Sequence, residues 1–196
     1  MKRNIFLMSL ILSLLITLPK STCNDNQKGA QCMESNNPFI EKACAGSVYR
    51  DHCVQSLKSL PPSDTCDIKT LTINSINITK TYGLIVRAWI NQKLEYSNLD
   101  PHVKFALREC SNEYGDALED LNRNIESFSI AKRIDHRFFH DLNTLMSGAI
   151  SSIIACEDVM KEFKGKDVME DRNKVFKKHC ANALSVIVFW SHNHDY

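Results

Sequence analysis

The residues best suited to chemistry in this 196-residue chain are its eight cysteines and seven histidines. His136 and His140 stand four positions apart, one helical turn, with Asp135 and Asp141 beside them. Such a pair could supply two zinc ligands. A zinc site needs a third ligand, and a hydrolase needs a positioned base as well. The local sequence offers neither, and a polar connector with two solvated histidines accounts for the pattern more simply. His192 and His194, near the C-terminus, read as inert. There is no G-x-S-x-G elbow, H-E-x-x-H pair, phosphate loop or dinucleotide fingerprint, and the six glycines do not cluster. No catalytic residue, cofactor or metal is expected.

The cysteines say more. Cys110 lies in the stretch 103–128, whose apolar residues fall at 103, 107, 110, 114, 117, 121, 125 and 128. That is one stripe along a helix, close to a heptad seam. Cys156 lies on a matching stripe at 142, 146, 149, 153, 156, 160 and 163. Two helices that each turn one cysteine inward read as a bundle stapled across its core. Closing that loop contributes about 4 kcal/mol in the chain-entropy account. Cys44 and Cys53 sit in two short helical segments that fold back at Gly46-Ser47, which would bring them together. Cys180 occupies the buried stripe of the last helix and reads as a small core residue. The states of Cys23, Cys32 and Cys66 stay open, including a link from Cys66 to Cys180.

These residues need elements to hold them, and the chain supplies helices. Residues 1–23 read as a secretory signal: Lys2 and Arg3, an apolar run from Ile5 to Leu18, then Pro19 and small residues. Residues 24–37 form a polar arm. A helical hairpin is expected over 38–60, ended by Pro61-Pro62. A four-helix bundle follows over 65–190, with a polar tail at 191–196. Its first helix, about 65–94, contains LTINSINIT, rich in the strand formers Thr and Ile, but its apolar period is helical. Residues 129–141 read as a charged connector, and Gly165 as a helix stop. Trp89, Tyr114 and Trp190 fall on stripes and are expected in the core. The class is all-α, an up-down-up-down bundle with an N-terminal helical hairpin.

Charge excludes one class of partner. Loss of residues 1–23 removes Lys2, Arg3 and Lys20 and no acid, so the 24 bases fall to 21 against 23 acids. No basic excess points to nucleic acid. After signal removal no apolar run is long enough to cross a bilayer. Asn77-Ile78-Thr79 is an N-glycosylation sequon, in keeping with secretion.

The pieces A-C-A-G-S-V-Y-R-D-H-C-V-Q-S-L, A-L-R-E-C-S-N-E-Y-G-D-A-L-E-D-L, M-S-G-A-I-S-S-I-I-A-C-E-D and H-C-A-N-A-L-S-V-I follow one another between Phe39 and Trp190. Their order and spacing resemble the plant invertase and pectin methylesterase inhibitors. The resemblance implies disulfides 44–53 and 110–156, and inhibition of a secreted carbohydrate-active enzyme rather than catalysis. Invertase-inhibiting members carry Pro-Lys-Phe before the third bundle helix. Here His136-Arg137-Phe138 keeps the base and the phenylalanine but lacks the proline. The segment 99–102 and the run from M-S-G-A-I to C-E-D resemble a branch of the family described, by name only, as invertase inhibitors. Gly148 and Ile150 depart from the Leu-Ser-Ala-Ala-Leu-Thr of many pectin methylesterase inhibitors.

The expected function is therefore non-covalent blocking of an invertase cleft. Inhibition of pectin methylesterase is the alternative, and a small-ligand-binding helical protein a more remote one. His136, Arg137 and Phe138 are the expected partner-binding residues, with Arg137 and Phe138 projecting from the connector in that reading; packing of both the Phe138 and Phe139 rings in the core is the other reading of the same pair. A monomer in the apoplast or the vacuole is expected.

Overall fold

The computed structural model describes residues 38–61, 65, 67–96, 98–163 and 165–194. The expected signal (1–23) and arm (24–37), and Cys23, Cys32 and Cys66, lie outside them. Six helices follow in order: α1 Pro38–Ala43, α2 Arg50–Lys58, α3 Ile68–Tyr96, α4 Pro101–Ile130, α5 His136–Glu162 and α6 Lys166–His192. The described residues contain no strand. Each long helix packs on its chain neighbours, and α6 closes the ring on α3. The links between them are a few residues long, which forces an up-down-up-down order. The short α1–α2 pair lies against α6 and the start of α3.

The stripes become the core. Leu107, Cys110, Tyr114, Ala117 and Leu121 of α4 are fully buried, as are Leu142, Met146, Ala149, Ile153 and Cys156 of α5. Phe176, Cys180, Ala183 and Ile187 complete the centre from α6. Both expected disulfides are formed, with Cα–Cα distances of 5.7 Å for Cys44–Cys53 and 4.6 Å for Cys110–Cys156. Cys180 is a free, buried thiol whose pKa burial pushes far up, so it stays protonated and inert.

α3 shows how a strand-rich composition becomes a helix. The hydroxyls of Thr72, Ser75 and Thr79 donate to the carbonyls of Ile68, Thr72 and Ser75, within their own helix. Their polar groups are thereby satisfied while Leu71 and Ile76 enter the core. Tertiary burial outweighs the modest propensity penalty. The helix starts at Ile68, later than expected, because Asp67 takes the capping role. Its carboxylate accepts from the Thr70 backbone N–H at 2.8 Å and from the Thr70 hydroxyl at 2.8 Å.

Two close approaches fix the helix spacing. A Cβ on Gly83 would meet the Phe176 ring at 2.8 Å and Leu118 at 3.1 Å, so α3 sits close against α6 and α4. At Gly148 a Cβ would collide with the Asp120 carboxylate. The departure at Gly148 is thus matched to an acid on α4. Trp89 is a correction: it is only partly buried, and its face carries the Arg172 guanidinium 3.5 Å from the ring centroid.

Candidate functional site

The α4–α5 turn is where structure and sequence reading part. α4 ends at Ile130, and Ala131 turns the chain into extended backbone. Asp135 then caps α5, accepting from the Phe138 N–H at 3.1 Å. The expected connector through 141 is therefore too long, since His136 to Asp141 are the opening turns of α5. The physical reason lies in the neighbours Phe138 and Phe139. Both rings turn inward, 7% and 3% exposed, and extend the Leu142–Met146 stripe by a full turn.

Phe138 does not project. It meets Phe128 edge-on at 5.4 Å, Phe139 at 5.6 Å and Trp190 at 6.0 Å between ring centroids. Phe139 meets Trp190 at 5.1 Å, and Phe128 stacks on Trp190 at 5.8 Å. Four rings from α4, α5 and α6 thus make a rigid floor, each edge placed toward a neighbour's face or offset in a stack.

Above this floor the surface is basic. His136 and Arg137 are exposed as expected of them, and so are Lys132, Arg133 and His140. His140 lies 3.7 Å from Asp141. Five basic-type residues in nine positions surround the N-terminus of a 27-residue helix with no acid in its first turn. Cations there oppose the helix dipole, so this grouping does nothing for helix stability. The apolar element at the tip is Ile130, 76% exposed, in the place expected of Phe138. Sequence reading passed over Ile130, Lys132 and Arg133 as parts of a connector. The Lys-Arg pair between two helices was the signal that could have found them.

The remaining candidates fall elsewhere. Asn77 sits part-buried in the middle of α3, and the Thr79 hydroxyl of its sequon is buried and donates to the Ser75 carbonyl at 2.9 Å. Among the described residues no group of three or more His, Cys, Asp or Glu side chains is placed to hold a metal. None of the described helices is long and apolar enough to cross a membrane. On α4, burial raises the carboxyl pKa of Glu113 and Asp120, with neighbouring acids adding to it in both.

A bundle closed by these two disulfides, with hairpin and stripes in this order, has known counterparts. The profile of the family described as plant invertase/pectin methylesterase inhibitor matches residues 38–186. The chain belongs to this family. Its members are inhibitors, not catalysts. A protein named "Putative invertase inhibitor" in Platanus orientalis is 31% identical over 141 residues, 71% of this chain and 79% of that protein. One of the same name in Platanus acerifolia is 32% identical over 119 residues, 61% of this chain and 63% of that protein's length. The crystal structure of a mutant pectin methylesterase inhibitor from Arabidopsis superposes with a TM-score of 0.61 at 18% identity, covering 74% of this chain and 92% of that one. That last likeness speaks for the fold alone.

Proposed function

We propose that this chain is a secreted, monomeric inhibitor that seats the α4–α5 tip in the active-site cleft of an acid invertase of the apoplast or vacuole. The observation that carries this reading is the exposed basic group on its aromatic floor. Glycoside hydrolysis requires carboxylates in the cleft, and a guanidinium pairs with a carboxylate through two parallel hydrogen bonds. Arg133 and Arg137 supply the charge and Ile130 the apolar contact, with His136 beside them. Because the rings beneath are locked, little ordering entropy is lost when the tip docks. The Platanus relatives support invertase as the target class.

Pectin methylesterase is the second reading. Leu84 and Ile85 on α3 and Phe105 on α4 are 50%, 60% and 45% exposed, and lie on outer faces of the bundle rather than at the tip. A target gripping those faces would leave the tip free. Purified, oxidised protein mixed separately with invertase and with pectin methylesterase distinguishes the two. Loss of invertase activity alone is the expected result. Inhibition of pectin methylesterase alone would overturn the target while leaving the fold intact.

A further inference from the structure

Polar contacts tie the hairpin to α6. Asn182 of α6 accepts a hydrogen bond from the Ser47 hydroxyl through Oδ1 at 2.8 Å, which leaves its Nδ2 to donate to His52 Nδ1 at 2.8 Å. The Ser47 oxygen in turn accepts from the Tyr49 N–H at 3.1 Å. Ser185 adds a bond to the Ala43 carbonyl at 2.9 Å. The His52 ring lies edge-on to His179 of α6, with centroids 4.7 Å apart, and His179 in turn leans on Tyr82 of α3 at 5.2 Å.

We propose that His52 and His179 form an acid-sensitive latch that holds the α1–α2 hairpin on the bundle when neutral and loosens it when protonated. The bond from Asn182 requires an unprotonated His52 Nδ1. A proton there sets donor against donor. Rotating the Asn182 amide to compensate would turn its Nδ2 toward Ser47 and remove the acceptor that the Ser47 hydroxyl now uses. A second proton on His179 places two cations face to edge.

The surrounding groups do not relieve that charge. From α6, the Lys178 ammonium acts on His52 and lies over the Tyr49 ring at 5.5 Å. From α3 the facing group is Tyr82, itself near Arg172 and Asp171. On α2, Asp51 is exposed and pairs with neither ring. Burial, followed by the His52 charge, holds His179 at about 4, and burial then Lys178 lower His52. The bundle itself is held by the Cys110–Cys156 staple, whose sulfurs do not titrate. The apolar contacts of Ile40, Leu57, Leu71 and Val186 keep the loosened hairpin nearby rather than releasing it. This device is independent of which enzyme is the target.

Amide hydrogen exchange of the full oxidised protein at pH 6.5 and at pH 4, corrected for intrinsic rates, tests it. Amides of 39–58 should lose about ten-fold more protection than those of α4 and α5 in acid. His179→Phe, which keeps a ring but takes no proton, should abolish most of that difference. Parallel loss in hairpin and bundle, or a variant with unchanged acid loss, overturns the latch. If the variant does not fold, the ring protons of His179 in the native protein decide. A midpoint near about 4 supports the proposal, and one near 6.5 refutes it.

Discussion

The centre of the bundle and the α4–α5 tip are both built on buried rings, but their surroundings differ. At the centre, Tyr114 is fully buried and donates to Asn173 at 2.9 Å, and Asn173 reaches the Cys156 sulfur at 3.5 Å. Each polar atom there meets another across the helices. At the tip, Phe138, Phe139 and Trp190 make no such bonds between them and sit one layer beneath exposed bases. The centre spends its residues on holding four helices together. At the tip buried rings hold an exposed basic surface still. On the proposed reading stability and recognition are separated by a single layer of side chains, and substitutions should separate them too.

Two changes should cost most and cost about equally. Replacing Cys110 and Cys156 together with alanine should lower stability by about 4 kcal/mol, chiefly through the freed unfolded chain. Phe138→Ala should lower it by about 3–5 kcal/mol through a cavity in the aromatic floor. Chemical denaturation of each variant measures both. If Phe138→Ala melts like the native protein, the ring is not part of the floor and the comparison fails. The expected loss at Phe138 makes an Arg137–Phe138 double variant a poor test of binding, since it would unsettle the tip as well as uncharge it.

A smaller effect of opposite sign is expected between the two regions. Asn124 on α4 is fully buried, one turn before Phe128, and neither atom of its amide has a hydrogen-bond partner. A buried amide without partners costs about 1–3 kcal/mol. Asn124→Leu, similar in shape, should therefore raise the melting temperature. A decrease would mean that the amide is satisfied in solution and that the polar bonding of the centre extends toward the tip.

The centre was legible in the sequence because its residues serve one purpose. Cys110, Tyr114, Leu142, Met146 and Cys156 keep period and polarity together, so spacing alone places them. The tip was harder to read. Phe138 and Phe139 continue the Leu142–Met146 stripe one turn further, but the bases on either side disguise that helix start as a connector. Burial at the hairpin junction was hidden for another reason. His52 lies 130 positions from Asn182 in the chain, so no local pattern links it to the turn of α6 that carries His179 and Asn182.

The hairpin junction offers a pH test. In the folded protein His179 is held at about 4 against an ordinary 6.5. The unfolded chain therefore takes its proton first. The stability this group contributes is complete above pH 6.5, declines as pH falls toward 4, and changes no further below that. Allowing for solvent screening of a partly exposed ring, the loss is about 1–2 kcal/mol. The difference between native protein and His179→Phe across that range isolates it from the carboxyls of Glu113 and Asp120, whose raised pKa values act in the other direction. A difference that stays flat with pH would show that the His179 ring is as accessible to protons in the folded protein as in the unfolded chain.

The smallest effect on stability should accompany the largest effect on binding. Arg133 and Arg137 are exposed, and neither forms an ion pair within the described residues. Replacing both with alanine should change stability by no more than about 0.5 kcal/mol. Removing two cations from beside the start of α5 could even raise it slightly, because the helix dipole opposes them there. Inhibition of invertase should weaken by about a hundred-fold, equivalent to about 3 kcal/mol, if both arginines pair with carboxylates in the complex. The native protein should bind less tightly as salt rises, and the double variant should have lost most of that dependence. Phe138→Leu serves as the counterpart, because it keeps the apolar floor while giving up ring geometry, and should cost stability more than inhibition. A double variant that inhibits fully, with its salt dependence intact, would mean that the tip is only a solvated basic turn. The contact would then move to the bundle faces that carry Leu84, Ile85 and Phe105.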